Sequence, residues 1–470
     1  MRVRFSAAEQ IPSQLDHLLV GIDSWSQVRS AQPMKKQQAA SVNALAAFRE
    51  LVAPEDIVEA ACKLGAIRRQ RKVDLPALVE ATIAAILPVD GSQTTAFANY
   101  IALTGQQLAP SAFYDRFSDE FASLMLELAR RAMRAVREAA PEDRRLEDLG
   151  VLLSEFSDVQ VVDATIVTLG KLAANWAPSN NQKTPAKLKW HTLISLDDML
   201  PVSERITGSR VADTRGLPRG ALAPGTLTLM DMGYVDFERF AEASKSGASF
   251  IIPAKSNCTA RIERVHEGQF LAGSPTDLCL GDALERRHFD ERHRVFDLDV
   301  SLTRNDGSAL QLRAVAIRTP QTGNYFACLT NVPRDVLDAV SVVSAYRLRW
   351  SVELFYKQMK SGTGLKAIRA TRKSTVLSLL YAKMVALCLA RLVELHIEER
   401  DGRHATTQLA LVLALTRSAP LLLSSMMMSR GVTLEQLEER LLIIARVVAR
   451  SRNQRRERAR RKREQSLGVR

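Results

Sequence analysis

Chemistry-bearing residues crowd into the stretch YRLRWSVELFYKQMK, residues 346–360. Tyr346, Arg349, Glu353 and Lys360 sit at offsets 0, 3, 7 and 14. At about 100° per residue they fall within an arc of roughly 60°, and Lys357 lies close beside them. One helical face would then carry a tyrosine, three cations and a single carboxylate. Such a face reads either as a solvated surface laced by the i,i+4 pairs Arg349–Glu353 and Glu353–Lys357, or as a place where phosphates approach a carboxylate.

Two more acids stand out. Asp163 lies inside the apolar run VVDATIV, and Asp231 closes TLTLMD just before Gly233. Charged residues are seldom buried without a partner or a metal, and the C-terminal ends of strands are where open α/β sheets gather their sites. Each acid also has a plainer reading: Asp163 as the first residue of a loop, Asp231 as the cap of a helix beginning at Gly233–Tyr234. Three carboxylates on separate elements suit divalent cations. Mg²⁺ takes few oxygen ligands from protein and leaves room for water and phosphate. Two such ions about 4 Å apart serve both the attacking and the leaving oxygen of a displacement.

The neighbours of Glu353 fit that chemistry. Arg349 and Lys360 would hold phosphates, and Tyr346 would hydrogen-bond one. Trp350 offers a flat ring for an unpaired base, or packs as a core aromatic. Lys255 after FIIPAK, and Lys187 and Lys189 before His191, are weaker candidates for phosphate contact that read equally as solvated strand ends. His191 reads as a packed or surface histidine rather than a ligand. Gly362 in SGTG ends a helix rather than opening a nucleotide loop.

Periodicity supplies the scaffold for these side chains. Up to about residue 150 the pattern is helical. Pro54 opens APEDIVEAACKLG with acids in the first turn and Gly65 after its end. Asp74 and Pro76 open the next helix. TTAFANYIALTGQQLAPSAFYDRFSDEF has helix-turn-helix spacing, with Gly105 at the turn and Ser111 as a possible cap. The period changes near Ser157. DVQVVDATIVTL, KLKWHTLISL, GTLTLMD and FIIPAK read as strands. Strand-like pieces continue to Pro333, with Asn305–Asp306–Gly307 marking a hairpin. Helix returns after Asp335. The expected division is therefore 1–150 helical, 151–250 α/β, 251–335 a β-rich insertion, 336–375 the second α/β part, and 376–470 helical with a basic tail.

Composition bounds the partners. The 470 residues are 46% hydrophobic and 25% charged, so the chain is globular. A formal net charge of +13 favours polyanions. From Arg446 to Arg470 there are eleven Arg or Lys and two Glu, a net of +9, which suits a phosphate-binding arm or a solubilising end. The five cysteines are scattered, as for reduced thiols in a cytoplasm. No apolar leader is apparent at the start, and charges or a proline interrupt the apolar segments 376–397 and 408–428, so no membrane partner is expected.

At this point the spacing Tyr346–x₂–Arg349–x₃–Glu353–x₆–Lys360 resembles the Tyr-Arg-Glu-Lys signature of insertion-sequence family four transposases. VVDATIV resembles that family's first-Asp strand, with Ala164 where a Gly is often found. LMDMGYVDF resembles its second-Asp motif. The acids are 68 and 122 residues apart, and the family places a β-rich insertion in the second interval. The resemblance covers about residues 159–366. It implies an α/β fold with a ribonuclease-H-like core, and Asp163, Asp231 and Glu353 as catalytic metal ligands. It implies Mg²⁺ as cofactor, two ions, with Mn²⁺ able to substitute. DNA contacts would fall on Tyr346, Arg349, Trp350, Lys357, Lys360 and Lys255. The helical N-terminus would bind the transposon ends. The implied reaction nicks the end, closes a hairpin by attack of the freed 3′-OH, opens it with water, and joins the 3′-OH to target DNA. Partners would be double-stranded DNA, as terminal repeats and as target, and a second protomer in a homodimeric synaptic complex. The implied location is the bacterial cytoplasm, at the nucleoid. The alternative is an inactive or repurposed transposase that acts as a DNA-binding protein.

Overall fold

The computed structural model describes residues 53–67, 73–85, 92–106, 108–139, 152, 154–196, 201–255, 257–271, 276, 278–285, 288–290, 292–319, 323–350, 352–353, 356, 367–368 and 370–401. The basic tail, the apolar segment 408–428, Lys357 and Lys360 lie outside the described residues.

The N-terminal helices start where capping chemistry places them. Helix α1 (Pro54–Lys63) has proline in its first turn with Glu55 and Asp56, and Gly65 follows with φ 73°. Helix α2 (Leu75–Ala84) is capped by Asp74, whose Oδ1 accepts from Ala77 N at 3.0 Å. Helix α3 (Gln93–Thr104) ends at left-handed Gly105. The following helix α4 (Pro110–Tyr114) is a single turn that starts on Pro110 after Ala109. Ser111 is therefore inside it and not its cap. The chain restarts as the long amphipathic helix α5 (Asp119–Ala139).

Among the described residues, ten strands form one mixed sheet: β1 (Asp158–Leu169), β2 (Lys187–Ser195), β3 (Pro201–Gly208), β4 (Thr226–Met230), β5 (Ser249–Pro253), β6 (Arg261–Glu267), β7 (Val295–Thr303), β8 (Ala309–Arg318), β9 (Tyr325–Thr330) and β10 (Ala367–Ile368). Their order is β3-β2-β1-β4-β5-β9-β8-β7-β6, with β10 beside β1. Strand β2 runs antiparallel to both β1 and β3, while β4 and β10 run parallel to β1 and β5 parallel to β4. Helix α6 (Phe237–Ser246), capped by Asp236, links β4 to β5. A short helix α7 (Leu280–Glu285) follows β6. The Asn305–Gly307 turn joins β7 to β8, with Gly307 at φ 80°.

The strands of 251–335, expected as a β-rich insertion, continue the sheet of the preceding segment. Strand β9 pairs with β5 through Ile251↔Thr330 and Ile252↔Leu329, so β6–β9 lengthen the same sheet. The physical reason is that β5 would otherwise present an unpaired edge.

The middle of the sheet, at β4 and β5, is buried on both faces. On one face Val159, Val161, Leu227 and Leu229 pack in a cluster that also holds residues of α1 to α5, Tyr346, Tyr356 and helix α9 (Lys373–Asp401). On the other, Val162, Met230, Phe240 and Phe250 pack with β7 and β8. Alternation along the strands sorts the residues. Among the described residues, no helix is long and apolar enough to cross a membrane.

A buried ion pair secures the way into the signature stretch. Arg313 on β8 meets Asp297 on β7, Nη2 to Oδ2 at 2.7 Å, and donates Nη1 to the carbonyl of Leu337 at 2.6 Å and of Val332 at 3.3 Å. Helix α8 (Ala339–Arg347) then starts on Asp338, whose side chain accepts from Ser341 N at 2.7 Å.

Candidate active site

Residues 346–360 do not form one uniform helix. Helix α8 ends at Arg347, Leu348–Trp350 tighten into a 3₁₀ turn, and helix resumes by Val352 and Glu353. The regular 100° arithmetic therefore fails across the turn. Buried Tyr346, Val352 and Tyr356 stay on the core while Arg349 is drawn toward the sheet.

Strands β1 and β4 create the meeting point of the first two acids. Their parallel register ends at Val162↔Met230. Asp163 and Asp231 are the next residue of each strand. They continue the alternation of Val161 and Leu229, so both fall on the face packed by α8 and α9. Beyond this pair the strands part, and β1 is paired on that side again only at Thr168↔Ala367. Asp163 is thus mid-strand and not the start of a loop. Asp231 caps a single 3₁₀ turn, Met232–Tyr234, accepting from Gly233 N at 3.4 Å, while Asp236 caps α6.

Glu353 reaches the pair through Arg349. The guanidinium sits between two acids, Nη1 3.7 Å from Asp163 Oδ2 and Nη2 3.4 Å from Glu353 Oε1. Burial pushes the Asp163 carboxyl up to about 6. The Ala164 N–H, donated to Asp163 Oδ1 at 2.7 Å, and the Arg349 charge oppose that rise, while Asp231 and Glu353 add to it. Tyr356, three residues after Glu353, ties the signature segment to β1. Its hydroxyl donates to the Asp163 carbonyl at 3.0 Å and lies 2.7 Å from Thr192 Oγ1.

Tyr346 is buried beside Phe326, and the Arg349 guanidinium lies 5.9 Å from its ring centre. Trp350 is 40% exposed, which removes the core-aromatic reading. Lys255 is exposed just past β5, at the same end of the sheet as Asp231. Lys189 is not a free cation: its Nζ donates to Asp213 Oδ1 at 2.8 Å and to Val211 O at 3.0 Å. His191 is buried, and burial lowers its imidazole to about 4. Sequence reasoning missed Asp213, Tyr234 and Tyr356. The Gly233–Tyr234 pair next to an acid was the available signal for Tyr234.

The donor set fits a hard divalent cation. Asp163 and Asp231 are oxygen donors, and Asp231 adds to the rise of the Asp163 carboxyl, a cost that a bound cation relieves. Glu353 is turned to Arg349, and among the described residues no three acidic, histidine or cysteine side chains are arranged around one point.

An acid pair at the split of two parallel strands, with a third acid held through an arginine, is an arrangement that suits phosphoryl transfer. Residues 154–389 match the family described as the transposase DDE domain. The chain belongs to that family. It is 24% identical over 236 residues to the putative transposase y4zB of Sinorhizobium fredii, covering 50% of this chain and 60% of that one. It is 24% identical over 246 residues to the probable transposase for insertion sequence element IS5377 of Geobacillus stearothermophilus, covering 50% and 56%. A shorter match, 34% over 77 residues, is to the putative transposase InsL for insertion sequence element IS186A of Escherichia coli, covering 16% and 21%. The chain thus spans at most 60% of the length of these relatives. A solved structure, the piggyBac transposase synaptic complex with hairpin DNA, aligns over 88% of both chains with TM-score 0.41 and 11% identity.

Proposed function

We propose that this chain is a cut-and-paste DNA transposase of the insertion-sequence family four type, with a ribonuclease-H-like core. Asp163, Asp231 and Glu353 are its catalytic acids. The observation that carries this is the placement of Asp163 and Asp231 one residue beyond Val162↔Met230, with Arg349 spanning Asp163 and Glu353. The family membership and the β3-β2-β1-β4-β5 order around the acids support it.

Asp163 and Asp231 would hold a divalent cation, Mg²⁺ or Mn²⁺, with Glu353 as a further ligand once Arg349 engages a phosphate. Bound there, the cation would supply Lewis-acid stabilisation of charge at the scissile phosphorus. The protein's own part is positioning. Arg349 hands its charge from carboxylate to DNA phosphate. Exposed Trp350 stacks a base unpaired during hairpin formation. Lys255 meets the backbone at the same sheet end. The substrates are double-stranded terminal repeats and target DNA. Residues 1–150 bind the ends, and two protomers act in the synaptic complex.

The test is cleavage of DNA carrying the terminal repeats of the protein's own element, with Mg²⁺, with EDTA, and with Asp231→Ala. Nicked or hairpin product that needs both the metal and Asp231 supports the reading. Tight binding without cleavage under any metal would leave a DNA-binding protein that has kept the fold and lost the reaction.

A further inference from the structure

We propose that His191, acting through Tyr234, and Asp213, acting through Gly233, are positioning residues for the second acid, Asp231. This rests on the reading of Asp231 as a metal ligand.

The turn that carries Asp231 is slight. Two backbone bonds, Tyr234 N to Asp231 O at 2.9 Å and Val235 N to Met232 O at 3.4 Å, and the long bond from Gly233 N to Asp231 Oδ2 at 3.4 Å are its internal ties. A single 3₁₀ turn holds a carboxylate direction poorly. Two outside groups grip the turn, one at Tyr234 and one at Gly233.

The first grips Tyr234. Its ring is buried, and its hydroxyl lies 3.1 Å from His191 Nδ1 on β2. His191 Nε2 lies 2.9 Å from Thr207 Oγ1 on β3. A tyrosine hydroxyl that donates to Nδ1 leaves the ring proton on Nε2, which donates to Thr207. The imidazole fills the space a side chain at Gly216 would take, a Cβ there coming within 2.1 Å of Nδ1, so Gly216 backs the ring on one side.

The second grips Gly233. A Cβ there would lie 2.8 Å from Asp213 Oδ2. That carboxylate is held in turn by Lys189, two residues before His191 on the same face of β2. Lys189 also bonds the carbonyl of Val211, so Asp213 cannot retreat without breaking an ion pair. Gly233 and Tyr234 are thus each matched to one group of a rigid frame, and through them the frame fixes the direction of Asp231. Outer-shell groups of this kind orient a metal-binding carboxylate.

The test uses the full chain and Mn²⁺ alone, titrated by calorimetry, beside melting temperature and Mn²⁺-dependent cleavage of end-bearing DNA. Tyr234→Phe keeps the ring and loses only the hydroxyl. It is expected to melt near the wild type, to bind Mn²⁺ about tenfold more weakly, and to lower kcat by a similar factor with KM for DNA unchanged. His191→Leu should behave likewise. His191→Asn, which keeps an acceptor near the Nδ1 position, should stay within about threefold of wild type. Gly233→Ala should lose Mn²⁺ affinity, and adding Asp213→Ala should restore it, a coupling that independent sites do not show. Wild-type Mn²⁺ affinity and kcat in Tyr234→Phe would overturn the role of His191. A Gly233→Ala defect made worse by Asp213→Ala would overturn that of Asp213. A wild-type protein that neither binds Mn²⁺ nor cleaves DNA would instead sink the catalytic reading itself.

Discussion

Arg349 and Asp163 face each other at 3.7 Å, the guanidinium occupying the ground between the first and third acids. It competes with any cation that Asp163 and Glu353 would hold. Arg349→Ala should therefore bind Mn²⁺ more tightly, by about tenfold for one nearby like charge in a partly solvated site, and yet cleave more slowly because the phosphate contact is gone. Calorimetry and single-turnover cleavage on the same preparation check both halves.

Glu353→Gln keeps the size of the side chain and removes its charge. Cleavage should fall by about 10²–10³-fold or more, while binding to the element's ends holds within about twofold by mobility shift, because partly exposed pairs such as Arg349–Glu353 add little. Undiminished cleavage would remove Glu353 from the triad.

His191 makes the fold sensitive to acid. Its imidazole falls from the ordinary 6.5 to about 4 on burial. A group depressed in this way binds protons more readily when unfolded, so its stabilisation is complete above 6.5 and drains away as pH falls toward 4. The loss is about 2 kcal/mol at pH 5. Denaturant melts at pH 8 and pH 5 should show a smaller gap in His191→Asn than in the wild type.

Tyr356→Phe deletes a hydroxyl shared by the Asp163 carbonyl and Thr192. Stability should drop by about 1 kcal/mol. Cleavage should slow several-fold without loss of DNA affinity, as Glu353 drifts relative to Asp163. Chemical melts and kcat measured separately from KM decide it.

Trp350→Ala should leave stability within about 0.5 kcal/mol, since the ring is half open to solvent. The nick should still form, and hairpin product should accumulate more slowly on a denaturing gel.

Much of this arrangement is legible in the residues. The β-branched run around Asp163, the buried run before Asp231 and the Asn-Asp-Gly turn each carry their structure locally, and all three appear where periodicity places them. Strand β3 was not legible, because PVSERITG is a half-exposed edge with no alternation. The 3₁₀ turn at Leu348–Trp350 was not legible either. Nothing in LRW breaks a helix; the turn lies where Arg349 meets Asp163, far away in sequence. Tyr346 is buried near the end of α8, whereas Trp350 in the turn is 40% exposed. Asp213 sits in the polar segment VADTRG, where one acid looks like any other until the fold brings Gly233 against it.

The bond from Tyr356 to Asp163 joins residues 193 positions apart. A ribosome that has finished β9 has already made both aspartates, yet it has not made Tyr356, which ties the later segment to β1. Closing so distant a contact is slow and comes late. On the proposed assignment of the three acids, the site is complete only once translation has passed Glu353 and the chain has looped back onto its first strand.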